Sequence, residues 1–382
     1  MTISGKRLKP GQPLPYDLVL ASGGMRFRKG TLITDEILRI IREGKVTQIN
    51  VESPIASRHD SDNPGLFDHL SQSHHSQSEQ RLKQAYHLNL ARSAIRSHSG
   101  LDTDPFSAVQ ERMNSMWKDP SQTMDLSEIM TAVDTWIPSL LEKRNSIAEI
   151  GWASDSSSFL PGHMVNTAKF ASCIGAEMGL EYDHLREITL SALLHDIGEM
   201  FIEREIFTSK KTIDPSHLNR IRQHPRQSVE WLKRSGINQE RVHKLVLRHH
   251  ERFDGSGYPY NITGKVLHSD DILIAVSDVY IALISRRPYR EALSRREALR
   301  TIMRMKGGGF PEETIAQMVS MLGMYPPGSL VGLKSGGIAV VLAPPSDGKW
   351  SGLIISDENN SRQIEQIDLN HLTGDYIIKE YA

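Results

Sequence analysis

The stretch that decides the fold runs from residue 249 to residue 259 and reads HHERFDGSGYP. It opens with two adjacent histidines, and a second adjacent pair, His195-Asp196, lies upstream. Neighbouring side chains of these types can face one pocket and contact two different metal ions, which is the arrangement that a two-metal hydrolase needs. The glycines and proline after the histidines indicate a loop of defined shape. The two pairs therefore predict a metal-dependent hydrolase, with a phosphodiester as the favoured substrate class.

Three further candidate ligands surround these pairs. His163 lies in the first turn of a helix that we expect to open at Pro161, and His224 precedes Pro225 at a predicted loop-to-helix junction. Asp278 lies on a largely apolar face of another predicted helix. Each of these residues alone is more often structural than functional. The order H, HD, H, HH, D along one helical region is what predicts a metal site.

Asp196 has a specific predicted environment. Leu185, Ile188, Ala192 and Asp196 follow one another at three- and four-residue steps, so the aspartate is expected on the apolar stripe of a helix covering Glu187 to Ile197. A buried carboxylate costs free energy unless a cation or strong donors meet it. A metal ligand and a salt-bridged or capping aspartate both remain open on this pattern alone.

Composition excludes several classes of protein. The 382 residues carry a formal net charge of -1, so no basic field favours nucleic acid as a partner. The single cysteine, Cys173, cannot form an internal disulfide and fits a reducing compartment. No apolar run has the length of a membrane span, and no signal peptide follows Met1. We therefore expect a cytoplasmic protein without a membrane partner.

The hydrophobic period predicts a mainly α protein with smaller units at both ends. Strands at Tyr16 to Ala21 and Val46 to Val51 enclose a helix at Asp35 to Glu43, and after Pro326-Pro327 the period changes from helical to two. Between the first unit and the helical region lies a polar linker that contains His74-His75. No other type of metal ligand accompanies this pair at a suitable spacing, so we interpret it as part of the linker and not as a metal site. The predicted domains are a small α/β unit (1–55), a polar linker with a leading helix (56–105), a helical domain (106–324) and a small β-barrel or sandwich (325–382).

The ordered ligand set and the HHERFDGSGYP run resemble the HD-GYP subgroup of the HD-domain metal phosphohydrolases. Ser277-Asp278 and the RPYR run at 287–290 extend the resemblance, and KGTLIT at 29–34 and YPPGSLV at 325–331 are similar to flanking segments of such proteins. The resemblance implies an all-helical HD-type domain. It also implies a phosphodiesterase that hydrolyses the bacterial second messenger cyclic di-GMP to linear pGpG, GMP or both.

The resemblance further implies two divalent metal ions with a hydroxide bridging them. Nitrogen and oxygen ligands suit iron, our first choice, and also manganese, zinc or nickel. Asp196 would bridge the ions and, with Glu199 beside it, forms the candidate catalytic pair. The implied ligands are His163, His195 and Asp278 for one ion and His224, His249 and His250 for the other.

Substrate contacts are also implied by the resemblance. Arg287 and Arg290 match phosphate-contacting positions, with a solvated helix end as the alternative. Gly257, Tyr258 and Pro259 form the expected substrate-binding loop, where Tyr258 could stack on a base, contact a signalling protein partner or pack. The terminal units could serve regulation, partner docking or the contact of a homodimer.

The sequence departs from the HD-GYP pattern at two positions. Glu199 stands where HD-x-G-K has its phosphate-binding lysine, a change of two charge units. Each unit is worth about 2 kcal/mol at a distance of about 8 Å and an effective dielectric constant of about 20. Phe159 stands where some members have a glutamate for a third metal, so two ions are expected unless Glu199 itself reaches one. The departures leave three hypotheses: an active cyclic di-GMP phosphodiesterase, a catalytically weak receptor or interaction protein that retains the metal site, and a hydrolase of another nucleotide or phosphate ester.

Overall fold

The computed structural model describes residues 17–20, 26–27, 46–50, 91, 104–142, 159–202, 215–264, 266–285, 292–333, 337–346, 349–356, 365–368 and 377–381. The chain divides into two compact units, Met1–Ser73 and His74–Ala382. The four-part division expected from the sequence stays a prediction. The predicted helix at 35–43, the His74-His75 pair, Arg287 and Arg290 lie outside the described residues.

The first unit contains a three-stranded antiparallel sheet in the order β2-β1-β3. Its strands are β1 (Asp17–Leu20), β2 (Arg26–Phe27) and β3 (Val46–Asn50). Leu18 pairs with Phe27 on one side and with Ile49 on the other. The two strands expected from the period-two pattern are therefore present, within one residue of their predicted ends.

The second unit is mainly helical, as the sequence predicts. Ten α-helices are described: α1 (Ser107–Lys118), α2 (Leu126–Glu142), α3 (Phe159–Glu177), α4 (Tyr182–Leu194), α5 (Pro215–Ile221), α6 (His224–Arg234), α7 (Glu240–Arg248), α8 (Ser269–Ile284), α9 (Arg295–Met303) and α10 (Glu312–Leu322). The apolar faces of all of these helices except α5 meet in one core. Within it, Trp136 of α2 donates to the Ser172 hydroxyl of α3, and Phe170 of α3 stacks on Tyr280 of α8.

Local sequence explains several helix ends. Ser294 caps α9, since its hydroxyl accepts the Glu297 N–H while the Glu297 carboxylate accepts the Ser294 N–H. Pro225 occupies the first turn of α6, where a missing N–H costs no hydrogen bond. The helix α3 begins at Phe159 rather than at Pro161, because proline is tolerated within a first turn. None of the helices in the described ranges is long and apolar enough to cross a membrane.

The end of α4 corrects one expectation. The predicted helix through Ile197 ends at Leu194, and a 3-10 helix follows at Ile197–Phe201. Asp196 lies between these two elements, not on a continuous apolar stripe. Hydrogen bonds to a serine side chain take the place of helical backbone hydrogen bonds here. The Ser228 hydroxyl donates to the His195 carbonyl and accepts from the Gly198 N–H.

The tail forms a five-stranded antiparallel sheet in the order β7-β6-β5-β4-β8. Its strands are β4 (Leu330–Leu333), β5 (Ile338–Ser346), β6 (Lys349–Ser356), β7 (Glu365–Asp368) and β8 (Ile377–Tyr381). The first two of these strands, β4 and β5, pair with Leu330 opposite Val340. Among the described strands β7 and β8 do not pair, so closure into a barrel or sandwich stays a prediction.

Candidate metal centre

Seven side chains from separate elements converge at one buried place, which we call the ligand cluster. Helices α3 and α8 supply one residue each, the end of α4 supplies two, the start of α6 one, and the end of α7 two. The cluster consists of His163, His195, Asp196, His224, His249, His250 and Asp278. All are buried except His250, which is partly exposed. These are the seven residues that the sequence nominated.

The cluster divides into two groups by distance. Within each group, one potential ligand atom from every member lies within 4.8 Å of the others. The first group is His163, His195 and Asp278, and the second is Asp196, His224, His249 and His250. The same division was implied by the resemblance, with Asp196 as the bridge.

Asp196 lies between the two groups and turns one oxygen to each. Its Oδ1 is 3.1 Å from His224 Nε2 and 3.3 Å from His249 Nε2. Its Oδ2 is 3.1 Å from His195 Nε2 and 3.8 Å from His163 Nε2. A carboxylate placed in this way can bind one cation through each oxygen.

Three of the histidine rings are oriented by the helix ends that carry them. The Nδ1 atoms of His195, His224 and His249 lie 2.6–2.7 Å from the carbonyl oxygen three residues earlier. A carbonyl can only accept, so each Nδ1 carries the proton and donates it. Nε2 then faces the cluster, which is the orientation that a metal ligand requires once Nε2 has lost any proton that it carries.

The nitrogen and oxygen atoms of the cluster are arranged to bind a divalent cation rather than to form hydrogen bonds with one another. The Nε2 atoms of His224 and His249 approach to 3.2 Å, although neither carries a proton to donate if Nδ1 is protonated. His195 Nε2 and Asp196 Oδ1 are buried and form no hydrogen bond of acceptable geometry. Buried polar atoms normally have partners. Their crowding without hydrogen bonds is the arrangement of ligand atoms around a cation.

Burial and neighbouring charges both shift the pKa values of the cluster residues, in some cases in opposite directions. Burial lowers the pKa of His195, but Asp196 and Asp278 outweigh it and raise that pKa to about 9. Burial also lowers the pKa of His250, and the neighbouring histidines lower it further. Burial raises the pKa of Asp196, yet His195 and His224 hold it well below its usual range. Both aspartates therefore stay ionised, and a cation would replace the protons that now balance them.

Glu199 lies beside the second group, on the outer side of His224. Its Oε1 is 3.9 Å from His224 Nδ1, the nitrogen that faces the protein backbone. Although the helix does not continue, the 3-10 turn keeps Glu199 close to Asp196, since the Glu199 N–H donates to the Asp196 carbonyl. The negative charge that replaces the expected lysine is thus at the cluster, but on the Nδ1 side of the ring. Phe159, the other departure, is the first residue of α3.

The rim loop, residues 251–264, borders the cluster through Tyr258. The Tyr258 ring centre is 4.6 Å from that of His250 and 6.3 Å from that of His224. Gly257 is required here because a Cβ would collide with the backbone of residues 250–252. Tyr258 N–H donates to the His250 carbonyl, which folds the Tyr258-Pro259 segment back on the histidine pair.

Sequence reasoning missed three residues that hold or border the site. Glu251 is buried, and its two oxygens accept the N–H groups of Tyr260 and Ile262 at 2.7 and 3.0 Å. Ser228 connects the His195 carbonyl to Gly198, and its spacing of four residues from His224 was the available signal. Arg222 lies against the Tyr258 ring.

Comparisons with known proteins agree with one another. A family model described as an HD domain matches residues 147–310. The cyclic di-GMP phosphodiesterase PA4108 of Pseudomonas aeruginosa is 30% identical over 60% of this chain and 55% of its own length. The cyclic di-GMP phosphodiesterase response regulator RpfG of Xanthomonas campestris is 35% identical over 36% of each chain. The 3'3'-cGAMP-specific phosphodiesterase 1 of Vibrio cholerae is 32% identical over 39% of this chain and 34% of its own length.

The chain thus spans about half of the first of these relatives and about a third of the other two. The matched segment contains every member of the ligand cluster and the rim loop. Residues 147–310 thus match the HD-domain family, and this segment is similar to proteins named as cyclic dinucleotide phosphodiesterases.

Proposed function

We propose that the chain is a metal-dependent phosphodiesterase that hydrolyses cyclic di-GMP to linear pGpG, GMP or both. The observation that carries the proposal is the placement of Asp196, whose two oxygens face two separate groups of buried histidines. The relatives named as cyclic di-GMP phosphodiesterases support the substrate. A cytoplasmic location belongs to the same proposal.

Two divalent ions, iron before manganese, zinc or nickel, would supply Lewis acidity and a hydroxide nucleophile when bound. His163, His195 and Asp278 would hold one ion and His224, His249 and His250 the other, with Asp196 shared between them. The chain itself contributes the shape and charge of the site. The Nδ1 hydrogen bonds of His195, His224 and His249 keep the rings aimed at the cluster.

The rim loop and the basic run at 287–290 would hold the substrate. Tyr258 is partly buried against His250 and lies at the border of the ligand cluster, where its side chain would contact the bound nucleotide. Burial and the charges of Asp196 and Glu199 raise the pKa of Tyr258, so its hydroxyl remains a donor at physiological pH. Gly257 and Pro259 shape this loop, and Arg287 and Arg290 are proposed to bind phosphate.

The test is metal quantification and product analysis on one anaerobic preparation. We expect two ions per chain and the appearance of pGpG or GMP on incubation with cyclic di-GMP. A preparation that holds both ions, binds cyclic di-GMP and yields no product would replace the enzyme with a receptor. Failure to bind or hydrolyse any cyclic dinucleotide would remove both.

Glu199 is the observation that favours the receptor alternative. Its carboxylate is adjacent to His224 and repels an incoming phosphate. The Glu199→Lys variant should raise turnover of cyclic di-GMP by at least about tenfold, because the local charge changes by two units. Steady-state rates of the two proteins at equal metal content decide the matter, and an equal or lower rate in the variant would show that Glu199 does not limit the reaction.

A further inference from the structure

Two arginines at the start of α6 stack on two tyrosines of the rim loop. The Cζ atom of Arg222 is 5.5 Å from the centre of the Tyr258 ring, and that of Arg226 is 5.5 Å from the centre of the Tyr260 ring. Both arginines are exposed. Neither forms an ion pair within the described part of the chain. Each is therefore an exposed cation that lies against an aromatic ring.

Only one of these pairs borders the ligand cluster. Tyr258 contacts the rings of His250 and His224, so Arg222 is separated from the cluster by a single aromatic ring. Tyr260 is 52% exposed and has no ring contact with a cluster histidine among the described residues. Arg226 is thus the same kind of residue in the same kind of contact, but on a tyrosine that does not contact a cluster ring among the described residues.

The proposed substrate requires a cation at that place. A cyclic dinucleotide contains two phosphodiesters, each with one negative charge, and only one of them can occupy the cluster during cleavage. The other must lie beside the cluster, where the expected lysine is replaced by Glu199. Arginine suits this task because its planar guanidinium donates two parallel hydrogen bonds to phosphate oxygens.

We propose that Arg222 binds the phosphate of the cyclic dinucleotide that is not being cleaved. This inference rests on the proposed function and adds a second phosphate subsite on the α6 side of the rim loop. Tyr258 then positions the guanidinium of Arg222 against its ring, and the same ring contacts His250. Arg222 would supply the positive charge that Glu199 removes.

The test compares Arg222→Gln with Arg226→Gln and Arg222→Lys in the metal-loaded protein. Binding is measured by calorimetry with the bis-phosphorothioate analogue of cyclic di-GMP, and KM and kcat with cyclic di-GMP itself. A lost charge-assisted contact predicts a Kd about tenfold weaker for Arg222→Gln. Arg226→Gln should match the unaltered protein, and Arg222→Lys should recover part of the loss. Hydrolysis of bis(4-nitrophenyl) phosphate, which has one phosphodiester, should suffer less than binding of the cyclic analogue.

The outcomes separate the subsite from simple support of the loop. Equal weakening by Arg222→Gln and Arg226→Gln, or no weakening by either, overturns the subsite. The subsite is also overturned if Arg222→Gln reduces hydrolysis of the one-phosphate substrate and binding of the cyclic analogue equally. In that case Arg222 holds the Tyr258 loop through its contact with the ring. If the unaltered protein itself does not bind the analogue, the proposed function fails and the subsite fails with it.

Discussion

The ligand cluster and the rim loop are neighbours that are held together by different means. The cluster draws its residues from α3, α6, α8 and the ends of α4 and α7, so its geometry depends on how those helices pack. The rim loop is held mainly by backbone hydrogen bonds, from Tyr260 and Ile262 to the Glu251 carboxylate and from Tyr258 to the His250 carbonyl. From this difference we expect that a disturbance of helix packing lowers metal affinity, whereas a disturbance of the loop lowers only substrate affinity.

The largest effect is expected from Asp196→Asn, which breaks the cluster at its centre. The amide cannot offer a negative oxygen to both histidine groups, so metal content should fall and turnover should drop by at least about 10³-fold. The rim loop should keep its shape, since none of its hydrogen bonds involves Asp196. Metal analysis with kinetics tests this, and a variant with both ions and near-normal rates would contradict the bridging role.

A second substitution, Gly198→Ala, disturbs the cluster from outside it. A Cβ on Gly198 would collide with the His224 carbonyl and the Ser228 backbone, so the start of α6 must move away from the end of α4. We expect metal affinity about 10–100-fold weaker, the size of effect seen when supporting contacts of ligands are lost. Gly308→Ala is the matched control, because a Cβ there meets nothing closer than 3.4 Å. Equal metal affinity in both variants would remove the packing argument.

Acidity should act on the cluster and spare the rim loop. With its pKa raised from 6.5 to about 9, the His195 ring carries a second proton, on Nε2, in the metal-free protein at neutral pH. That proton stabilises the metal-free fold below pH 6.5, and its contribution is lost as pH rises through 9. Metal binding must displace it, so Mn²⁺ affinity should rise by up to about tenfold per pH unit between 7 and 9. Competition titrations at pH 7, 8 and 9 measure this, and a flat affinity would contradict it.

The smallest effect is expected from Glu251→Gln, which loosens the rim loop alone. The amide offers one acceptor oxygen in place of two, so either Tyr260 or Ile262 loses its partner. KM for cyclic di-GMP should rise by about tenfold while metal content stays at two ions, since a buried unpaired group costs about 1–3 kcal/mol. Loss of metal in this variant would show that the loop and the cluster are not independent.

The sequence predicted the helical domain well, and its errors lie where tertiary contacts replace local ones. The apolar helix predicted around Asp278 is observed as α8. The spacing around His195 predicted a helix three residues too long. A periodic pattern does not show that the Ser228 hydroxyl donates a hydrogen bond to the His195 carbonyl, a contact between residues that are far apart in the sequence. Two of the three described strands of the first unit, β1 and β3, lie within one residue of their predicted ends, since they follow a period-two pattern, whereas β2 was not predicted.

By itself the sequence determined which residue types form the ligand cluster, their order along the chain and the glycines that shape the rim loop. These follow from side-chain chemistry and from short-range periodicity. Only the tertiary structure decided that the two oxygens of Asp196 face different histidine groups, that Glu199 lies on the Nδ1 side of His224, and that Arg222 stacks on Tyr258. A hydrophobic period tells which face of a helix is buried, but the partner of that face depends on the packing of the whole domain.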